Sequence, residues 1–409
     1  MNRRLTTIFS MSIVLALNVL AESREFYRQA GPATAQGDSG TALAITHGPY
    51  LQLPTGTSMT VVWHTNKKCV SKVEYGTDER LGLTATSSRN GLIDNDRTNH
   101  AIRLSGLTPG ATYRYRVVSR EFGGYQKQHI VTFGETVASP AYQFTTLDPG
   151  KEGFSFSMVS DIHERAADLE DMLNQKYFQD VDFVAYNGDM LNDFMQLDQV
   201  FNGFLDVTVK RYAKEMPFLF VRGNHEVRGR FARALPDFFP TVDGRAYYSF
   251  DHGGVHFVVL DSGEDKEDSH QYYNGLVDYQ NYRREQAEWL RADLGSDAFR
   301  KAAFRIVFSH IPPRGAEGFA IEDVRLNFEE LANKAGVDLW LSGHTHRFQL
   351  LAATQDQNTY PLMIGATDTI TRVEVSRDRL KLTAVRMSGE ELLPPVQFER
   401  RRGNRQPAP

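Results

Sequence analysis

The sequence predicts two domains of different fold class, a front domain of β-strands followed by a longer α/β domain. In the front half, the alternation around Tyr113 and Tyr115 is typical of half-buried β-strands. In the second half, short apolar runs each end at a polar block, which is typical of buried strands that lead into ligand-binding loops. Between the halves, residues 148–152 have the composition of a turn at a domain junction.

Five apolar runs in the second half are predicted to be short buried strands. They are Phe154 to Val159, Phe183 to Tyr186, Phe218 to Val221, Phe304 to Phe308 and Asp338 to Leu341. The polar blocks that follow them are Asp161-Ile162-His163, Gly188-Asp189, Gly223-Asn224-His225-Glu226, Ser309-His310 and Gly343-His344-Thr345-His346. Because parallel strands bring their carboxyl ends to one edge, we expect a sheet that gathers all five blocks there.

The side chains of these blocks suit a centre with two metal ions. Two divalent ions about 3.5–4 Å apart need a shared carboxylate, further nitrogen and oxygen donors, and open positions for water and substrate. Imidazole and carboxylate donors suit iron, zinc and manganese. The candidate donors are Asp161, His163, Asp189, Asn224, His310, His344 and His346. One such block is a weak signal, but the five together predict a site for two metal ions.

The order of the blocks resembles the calcineurin-like metallophosphoesterase superfamily, whose pattern is D-x-H, G-D, G-N-H-[DE], a later His and G-H-x-H. The resemblance implies a four-layer α/β/β/α domain and a role for each block. The first metal ion would be held by Asp161, His163 and His346, the second by Asn224, His310 and His344, with Asp189 bridging and His225 as general acid.

Within that superfamily, the front half of the chain resembles the purple acid phosphatases. The similarity lies in Gly48-Pro49-Tyr50-Leu51-Gln52, in residues 58–63, and in the turn 104–110 that precedes an alternating strand. It implies an N-terminal fibronectin-III-like sandwich. We therefore expect a sandwich over residues 44–147 and a metallophosphoesterase domain over residues 153–387.

Two positions depart from the purple acid phosphatase pattern. Three residues after Asp189, where that family has a tyrosine that binds ferric iron, this chain has Asn192. The first block of that family usually lacks a ligating histidine, whereas His163 is present here. Replacing an anionic ligand by a neutral one favours two divalent ions, so we expect a protein without a visible charge-transfer band.

The resemblance implies hydrolysis of a small-molecule phosphoester by a hydroxide held between the metal ions. A phosphomonoesterase is the first hypothesis. A phosphodiesterase acting on nucleotides or phospholipid head groups is the second, because the donors do not distinguish monoesters from diesters. A non-catalytic binding module is the third, and the intact set of donors argues against it.

Several further residues have two interpretations. Arg222 and Arg314 flank the predicted site loops and could bind phosphate, or they could form surface salt bridges. Glu226 could orient its neighbours or be a solvated loop charge. His256 is predicted to be a core or supporting histidine. The segment Glu264 to Asn281, rich in acidic residues and tyrosines, could rim the site or be a polar surface loop.

The chain termini and composition complete the prediction. Residues 1–21 have the pattern of a secretory signal peptide, with Arg3 and Arg4 before an apolar run too short for a confident membrane span. We expect a secreted or periplasmic protein, with an uncleaved anchor as the alternative. Residues 22–43 would be a linker and 388–409 a tail.

A net charge of −5, from 46 basic and 51 acidic residues, gives no broad basic surface for binding nucleic acid. The single cysteine, Cys69, excludes an internal disulfide.

Overall fold

The computed structural model describes residues 41–400 of the 409-residue chain. The predicted signal peptide, nearly all of the predicted linker and the last part of the predicted tail lie outside the described residues. Among residues 41–400, no helix is both long and apolar enough to cross a membrane.

The front domain is all β, as predicted. Its long strand β2 is shared by two sets of neighbours, because β1 and β6 pair mainly with its first half and β3 and β7 with its second half. The core beneath them contains Trp63, Tyr115 and Phe144. The strands are β1 Ile45–Gln52, β2 Ser58–Gly76, β3 Leu83–Thr86, β4 Ser88–Arg89, β5 Leu92–Ile93, β6 Arg97–Ser105, β7 Thr112–Lys127, β8 Ile130–Ala138 and β9 Tyr142–Thr145.

The second domain contains two six-stranded sheets. Its strands are β10 Gly153–Val159, β11 Phe183–Asn187, β12 Phe218–Val221, β13 Tyr248–His252, β14 Val255–Val259, β15 Phe304–Phe308, β16 Leu339–Ser342, β17 Gln349–Leu351, β18 Leu362–Ile364, β19 Thr369–Ser376, β20 Arg379–Arg386 and β21 Glu391–Glu399. The first sheet has the order β12-β11-β10-β19-β20-β21, and the second has the order β13-β14-β15-β16-β18-β17.

Helices cover the outer faces of both sheets. They are α1 Ala166–Leu173, α2 over residues 198–213, α3 Tyr279–Leu294, α4 Asp297–Lys301 and α5 over residues 319–335. Shorter 3-10 turns lie at Lys176–Phe178, Ala232–Asp237 and Gln271–Tyr273. α1 and α2 pack on the first sheet through Leu169 and Phe204. α3, α4 and α5 pack on the second sheet through residues such as Leu290. This is the four-layer α/β/β/α arrangement that the resemblance implies.

The five predicted strands are present, but they do not form one sheet. β10, β11 and β12 are parallel neighbours in the first sheet, whereas β15 and β16 are parallel neighbours in the second. Both sheets bury apolar residues against each other, including Phe156 and Phe183 from the first and Phe257 and Phe308 from the second. The expectation of a single sheet is therefore wrong. The strands of two stacked sheets have the same apolar pattern in the sequence as the strands of one sheet that is buried on both faces.

The predicted tail also begins too early. Residues Glu391–Glu399 form β21, which pairs antiparallel with β20 and completes the first sheet. Leu392 and Phe398 of this strand pack against the core between the sheets. The sheet therefore extends past residue 387. Buried and exposed positions alternate only weakly in this edge strand. Its sequence therefore lacks the pattern that predicts a strand.

The front domain packs on the first sheet and on α2. Tyr50 donates a hydrogen bond to the main-chain oxygen of Phe238 at 2.8 Å, and Gln52 donates one to that of Phe218 at 3.1 Å. His47 Nδ1 lies 2.9 Å from Asp206 Oδ1, and its ring stacks on Phe201. These contacts are buried or half-buried, so the front domain supports the first sheet on the side of α2.

His256 is a buried structural histidine, as predicted. Its Nδ1 lies 2.7 Å from Asp251 Oδ1 and its Nε2 lies 3.1 Å from Asp293 Oδ2. Burial by itself would lower the pKa of His256, but hydrogen bonds to the two carboxylates raise it to about 9. The imidazolium therefore joins β13 and β14 to α3.

We expect His256→Gln to lower the free energy of unfolding by about 2 kcal/mol at pH 6, because the variant loses two charge-assisted hydrogen bonds. The folded pKa is raised, so this contribution is complete below the unfolded pKa of about 6.5 and is lost as the pH rises through about 9. Urea unfolding at several pH values measures the difference from wild type. His129→Gln, at an exposed position, is the control. A difference that is independent of pH would contradict this assignment.

Candidate metal centre

The predicted donors lie on loops at one edge of the two stacked sheets. Asp161 and His163 follow β10, Asp189 follows β11, and Asn224 follows β12. From the second sheet, His310 follows β15, and the pair His344 and His346 follows β16. The structure therefore brings together side chains that are far apart in sequence, at the carboxyl ends of parallel strands.

The loops that carry the donors have an unusual backbone conformation. Five of the seven predicted donors have positive φ angles between 50° and 73°. For non-glycine residues this conformation costs about 1–2 kcal/mol each, and such strain clusters at functional sites. They are Asp161, His163, Asp189, His344 and His346. Gly188, with φ +86°, precedes the bridging candidate, and a side chain there would overlap the His310 ring.

The first group of donors is formed by Asp161, His163, Asp189 and His346, whose ligand atoms all lie within 4.8 Å of one another. His163 Nε2 is 3.0 Å from His346 Nε2, and the latter is 3.3 Å from Asp161 Oδ1. This is the set that the resemblance implies for the first metal ion, with the bridging candidate included.

The second group is formed by Asp189, His310 and His344, again within 4.8 Å. Asn224 joins it, because its Oδ1 lies 2.9 Å from His344 Nδ1. Asp189 thus belongs to both groups, and its side chain is almost fully buried between them. A carboxylate shared by two sets of donors is what two neighbouring ions require.

His310 fits a bound cation. Its Nδ1 lies 2.8 Å from the main-chain oxygen of Asn187, which can only accept, so Nδ1 carries a proton. The buried Nε2 makes no hydrogen bond, although Asp189 Oδ2 is 3.0 Å away. The lone pairs of this nitrogen and this carboxylate oxygen repel each other at that distance unless a proton or a metal ion binds to them. Accordingly, although burial opposes it, the charges of Asp189 and Asp161 raise the pKa of His310 to about 10.

Of the other donors, His344, His163 and Asp189 have pKa shifts that suit ligation, whereas the hydrogen bond to Asp161 raises the pKa of His346. Burial and the neighbouring His310 lower the pKa of His344 to about 4, and burial lowers the pKa of His163. Both imidazoles are therefore neutral near pH 7, which is the form that binds metals. For Asp189, burial alone would raise the pKa, but the charge of His310 holds it below its usual value, so the carboxylate stays ionised.

Glu226 orients the loop that carries Asp189. It is fully buried, and its carboxylate accepts hydrogen bonds from the main-chain N–H groups of Asp189 at 2.9 Å, Leu191 at 3.0 Å and Gly223 at 2.8 Å. Burial and the nearby Asp189 raise the pKa of Glu226 to about 7. Of the two sequence interpretations, the orienting role is confirmed and the solvated loop charge is wrong.

His225 lies at the opening of the donor groups. Its Nδ1 is 2.5 Å from the main-chain oxygen of Asn192, so this nitrogen carries the proton and Nε2 has the lone pair. Nε2 accepts a hydrogen bond from Arg228 at 3.2 Å and lies 3.9 Å from Asp189 Oδ2. The ring therefore has one fixed edge and one edge that faces the site.

The two arginines that were candidates for phosphate binding are engaged elsewhere. Arg314 pairs with Glu329 through two hydrogen bonds of 2.7 and 2.8 Å, which is the salt-bridge alternative. Arg222 Nη2 lies 2.5 Å from the buried carboxylate of Asp261. Among the contacts described for residues 41–400, neither arginine touches a predicted donor.

Sequence reasoning missed Arg228, although it lies three residues after His225. It is the arginine that contacts His225, and it is held by Glu264 at 2.5 and 3.0 Å and by Asp265 at 3.0 Å. The acidic start of segment Glu264 to Asn281 was the available signal, because its excess of carboxylates requires cationic partners. This contact also favours the rim interpretation of that segment over the surface loop.

Comparison with known proteins agrees with this geometry. Residues 154–348 match the family of the calcineurin-like phosphoesterases, and residues 47–146 match the N-terminal domain of purple acid phosphatases. The first match contains all seven predicted donors, and the second lies within the front domain.

Individual relatives are named purple acid phosphatases. The chain is 25% identical over 318 residues to purple acid phosphatase 22 of Arabidopsis thaliana, covering 69% of this chain and 62% of the relative. It is 24% identical over 321 residues to purple acid phosphatase 18 of the same plant, covering 73% and 65%. Thus the chain spans less than two thirds of the length of either relative.

A solved structure shows the same fold. Purple acid phosphatase PPD1 from yellow lupin (Lupinus luteus) matches with a TM-score of 0.63 and 17% identity, over 86% of this chain and 74% of that one. Its match extends over both the front domain and the two-sheet domain. This chain therefore has a calcineurin-like phosphoesterase domain preceded by a purple acid phosphatase N-terminal domain.

Proposed function

We propose that this protein is a metal-dependent phosphatase that hydrolyses phosphomonoesters. The observation that carries the proposal is the buried carboxylate of Asp189, which belongs to both groups of donors. Asp161, His163 and His346 would hold one divalent ion, and Asn224, His310 and His344 the other. Fe, Zn and Mn all suit these donors.

Bound divalent ions would supply a water of lowered pKa and positive charge that stabilises the phosphate oxygens. The protein's own residues would position the substrate and move the proton. His225 faces the site with Nε2, the nitrogen that can take up a proton and pass it to the leaving oxygen. Asn192 fixes the other edge of the ring, so the nitrogen that exchanges protons is always the same one.

Two observations support monoesters and divalent ions. Arg228 places a guanidinium beside His225, and this extra donor suits the dianionic phosphate of a monoester better than the single charge of a diester. Asn192 occupies the position of the iron-binding tyrosine, and its amide Nδ2 donates to the main-chain oxygen of His163 at 3.3 Å. It therefore braces a donor loop and supplies no anionic ligand.

The proposal is tested by assaying protein without residues 1–21 after loading it separately with Zn, Mn or Fe. We expect turnover of nitrophenyl phosphate that disappears with a chelator and exceeds turnover of the matching diester. Faster hydrolysis of the diester would replace the proposal by a phosphodiesterase. Absence of turnover with every metal, despite binding of two ions per chain, would leave a binding role.

Substitutions of the donors separate metal binding from proton transfer. We expect Asn224→Ala and His310→Ala to lose the second ion and most of the turnover, because each removes a donor from the same group. His225→Ala should keep both ions and lose about 10²–10⁴-fold in rate, mainly on substrates with poor leaving groups. Metal content per chain and kcat are the measurements, and His129→Ala is the control. Wild-type rates in a variant would contradict the role of that residue.

We also propose that residues 1–21 direct export and are removed. The basic residues Arg3 and Arg4 followed by an apolar run support this. Expressed with its leader in a secreting host, the protein should begin at Glu22, which sequencing of the mature N-terminus measures. A mature chain that still begins at Met1 in the cytosolic fraction would contradict export.

A further inference from the structure

We propose that the cleft beside His225 is a leaving-group subsite that takes a planar aromatic group, so that the substrates are aromatic phosphomonoesters of the aryl or nucleoside type. This inference rests on the proposed function, since it names the part of the substrate that the metal centre does not bind. The cleft is lined by Asn192 and Arg228 and by residues of the segment Glu264 to Asn281.

The position of the cleft connects it to the reacting atoms. Asn192 and Arg228 both line the cleft, and both hydrogen-bond to the His225 ring. His225 in turn lies 3.9 Å from the shared carboxylate of Asp189. A phosphate at the donor groups would therefore direct its leaving oxygen past His225 and into this cleft, whose volume of ≈ 880 Å³ has room for a nucleoside.

The outer wall of the cleft is fixed by buried charge. Glu264, almost fully buried, binds Arg228 and accepts a hydrogen bond from Tyr273 at 2.6 Å. Asp268 accepts from the main-chain N–H groups of Tyr279 and Gln280 at 2.9 and 3.0 Å, which ties the segment to the start of α3. The wall therefore exists before a ligand arrives, which reduces the entropic cost of binding.

The exposed surface of the cleft is aromatic and apolar. In the described part of the two-sheet domain, four large hydrophobic side chains are exposed, and three of them line this cleft. They are Met195, Tyr272 and Leu276, with exposed fractions of 44%, 74% and 69%. Convergence of such side chains on one concave site is typical of ligand binding, and tyrosine faces stack on planar rings.

Polar groups in the same cleft favour a ring with polar substituents over an alkyl chain. Arg233 makes one long hydrogen bond, to the main-chain oxygen of Leu276 at 3.4 Å, and no ion pair is described for it. The exposed Arg233 guanidinium can donate to acceptors at the edge of a substituted aromatic ring, which an alkyl group does not offer.

The test compares substrates that differ only in the aromatic ring. Adenosine 5′-monophosphate and ribose 5-phosphate release the same kind of primary alcohol, and benzyl phosphate and cyclohexylmethyl phosphate form a second matched pair. We expect kcat/KM to favour the aromatic member by about tenfold, as for stacking of one base on an aromatic side chain. Preference in the first pair alone identifies a nucleoside, in the second alone an aryl group, and equal rates in both pairs overturn the proposal.

Substitutions of Tyr272 test whether this exposed residue causes the preference for aromatic substrates. Tyr272→Ala should lower kcat/KM for the preferred aromatic substrate by about fivefold to tenfold and leave its non-aromatic partner within about twofold, and Tyr272→Phe should retain the wild-type value. Tyr125→Ala, at a tyrosine of the front domain that is 64% exposed, is the matched control. Equal losses on both substrates of a pair would overturn the assignment of Tyr272.

Failure of the subsite is distinguishable from failure of the proposed function. If no phosphoester is hydrolysed with any metal, the proposed function fails. Calorimetric titration of the same metal-loaded protein with adenosine 5′-monophosphate and ribose 5-phosphate then tests the subsite alone. Tighter binding of the nucleotide that is lost in Tyr272→Ala supports the subsite, and equal binding of the two ligands overturns it.

Discussion

The structure of the site depends on one buried carboxylate, that of Asp189. It belongs to both groups of predicted donors, so its position fixes the distance between them. Three features hold it: the left-handed backbone after Gly188, the N–H of His225 that donates to Asp189 Oδ1 at 2.9 Å, and the main-chain hydrogen bond to Glu226. A buried anion in this position requires positive charge nearby, which in the described residues is a protonated His310 and in the proposed enzyme would be metal ions.

The two sheets are what make this arrangement possible. Each sheet ends its parallel strands at the same edge, so β10 to β12 present one set of loops and β15 and β16 the other. The aromatic core between the sheets fixes their separation, because close-packed rings such as Phe156 and Phe308 leave no room for sliding. The front domain adds support from the side of α2 and places no side chain among the predicted donors.

Charge outside the donor groups organises the surroundings of the site. Arg228 is shared between His225 and the acidic start of the segment Glu264 to Asn281, so the general-acid candidate and the wall of the cleft are connected by one guanidinium. This connection makes the cleft part of the candidate active site, although its tyrosines lie far along the chain from the nearest donor. It also explains how this segment can line a site for the proposed anionic substrate, since Glu264 and Asp265 are already paired with Arg228.

The sequence by itself determined the strands that carry the seven candidate donors and the two fold classes, because short apolar runs and the blocks after them are local features. The tertiary structure decided how the strands divide between two sheets and that β21 closes the first one. It also decided that Glu226 orients Asp189, that Arg222 and Arg314 are paired elsewhere, and that Arg228 faces the site. These depend on which buried charges meet across the fold, and such pairing between distant residues leaves no periodic signal in a single sequence.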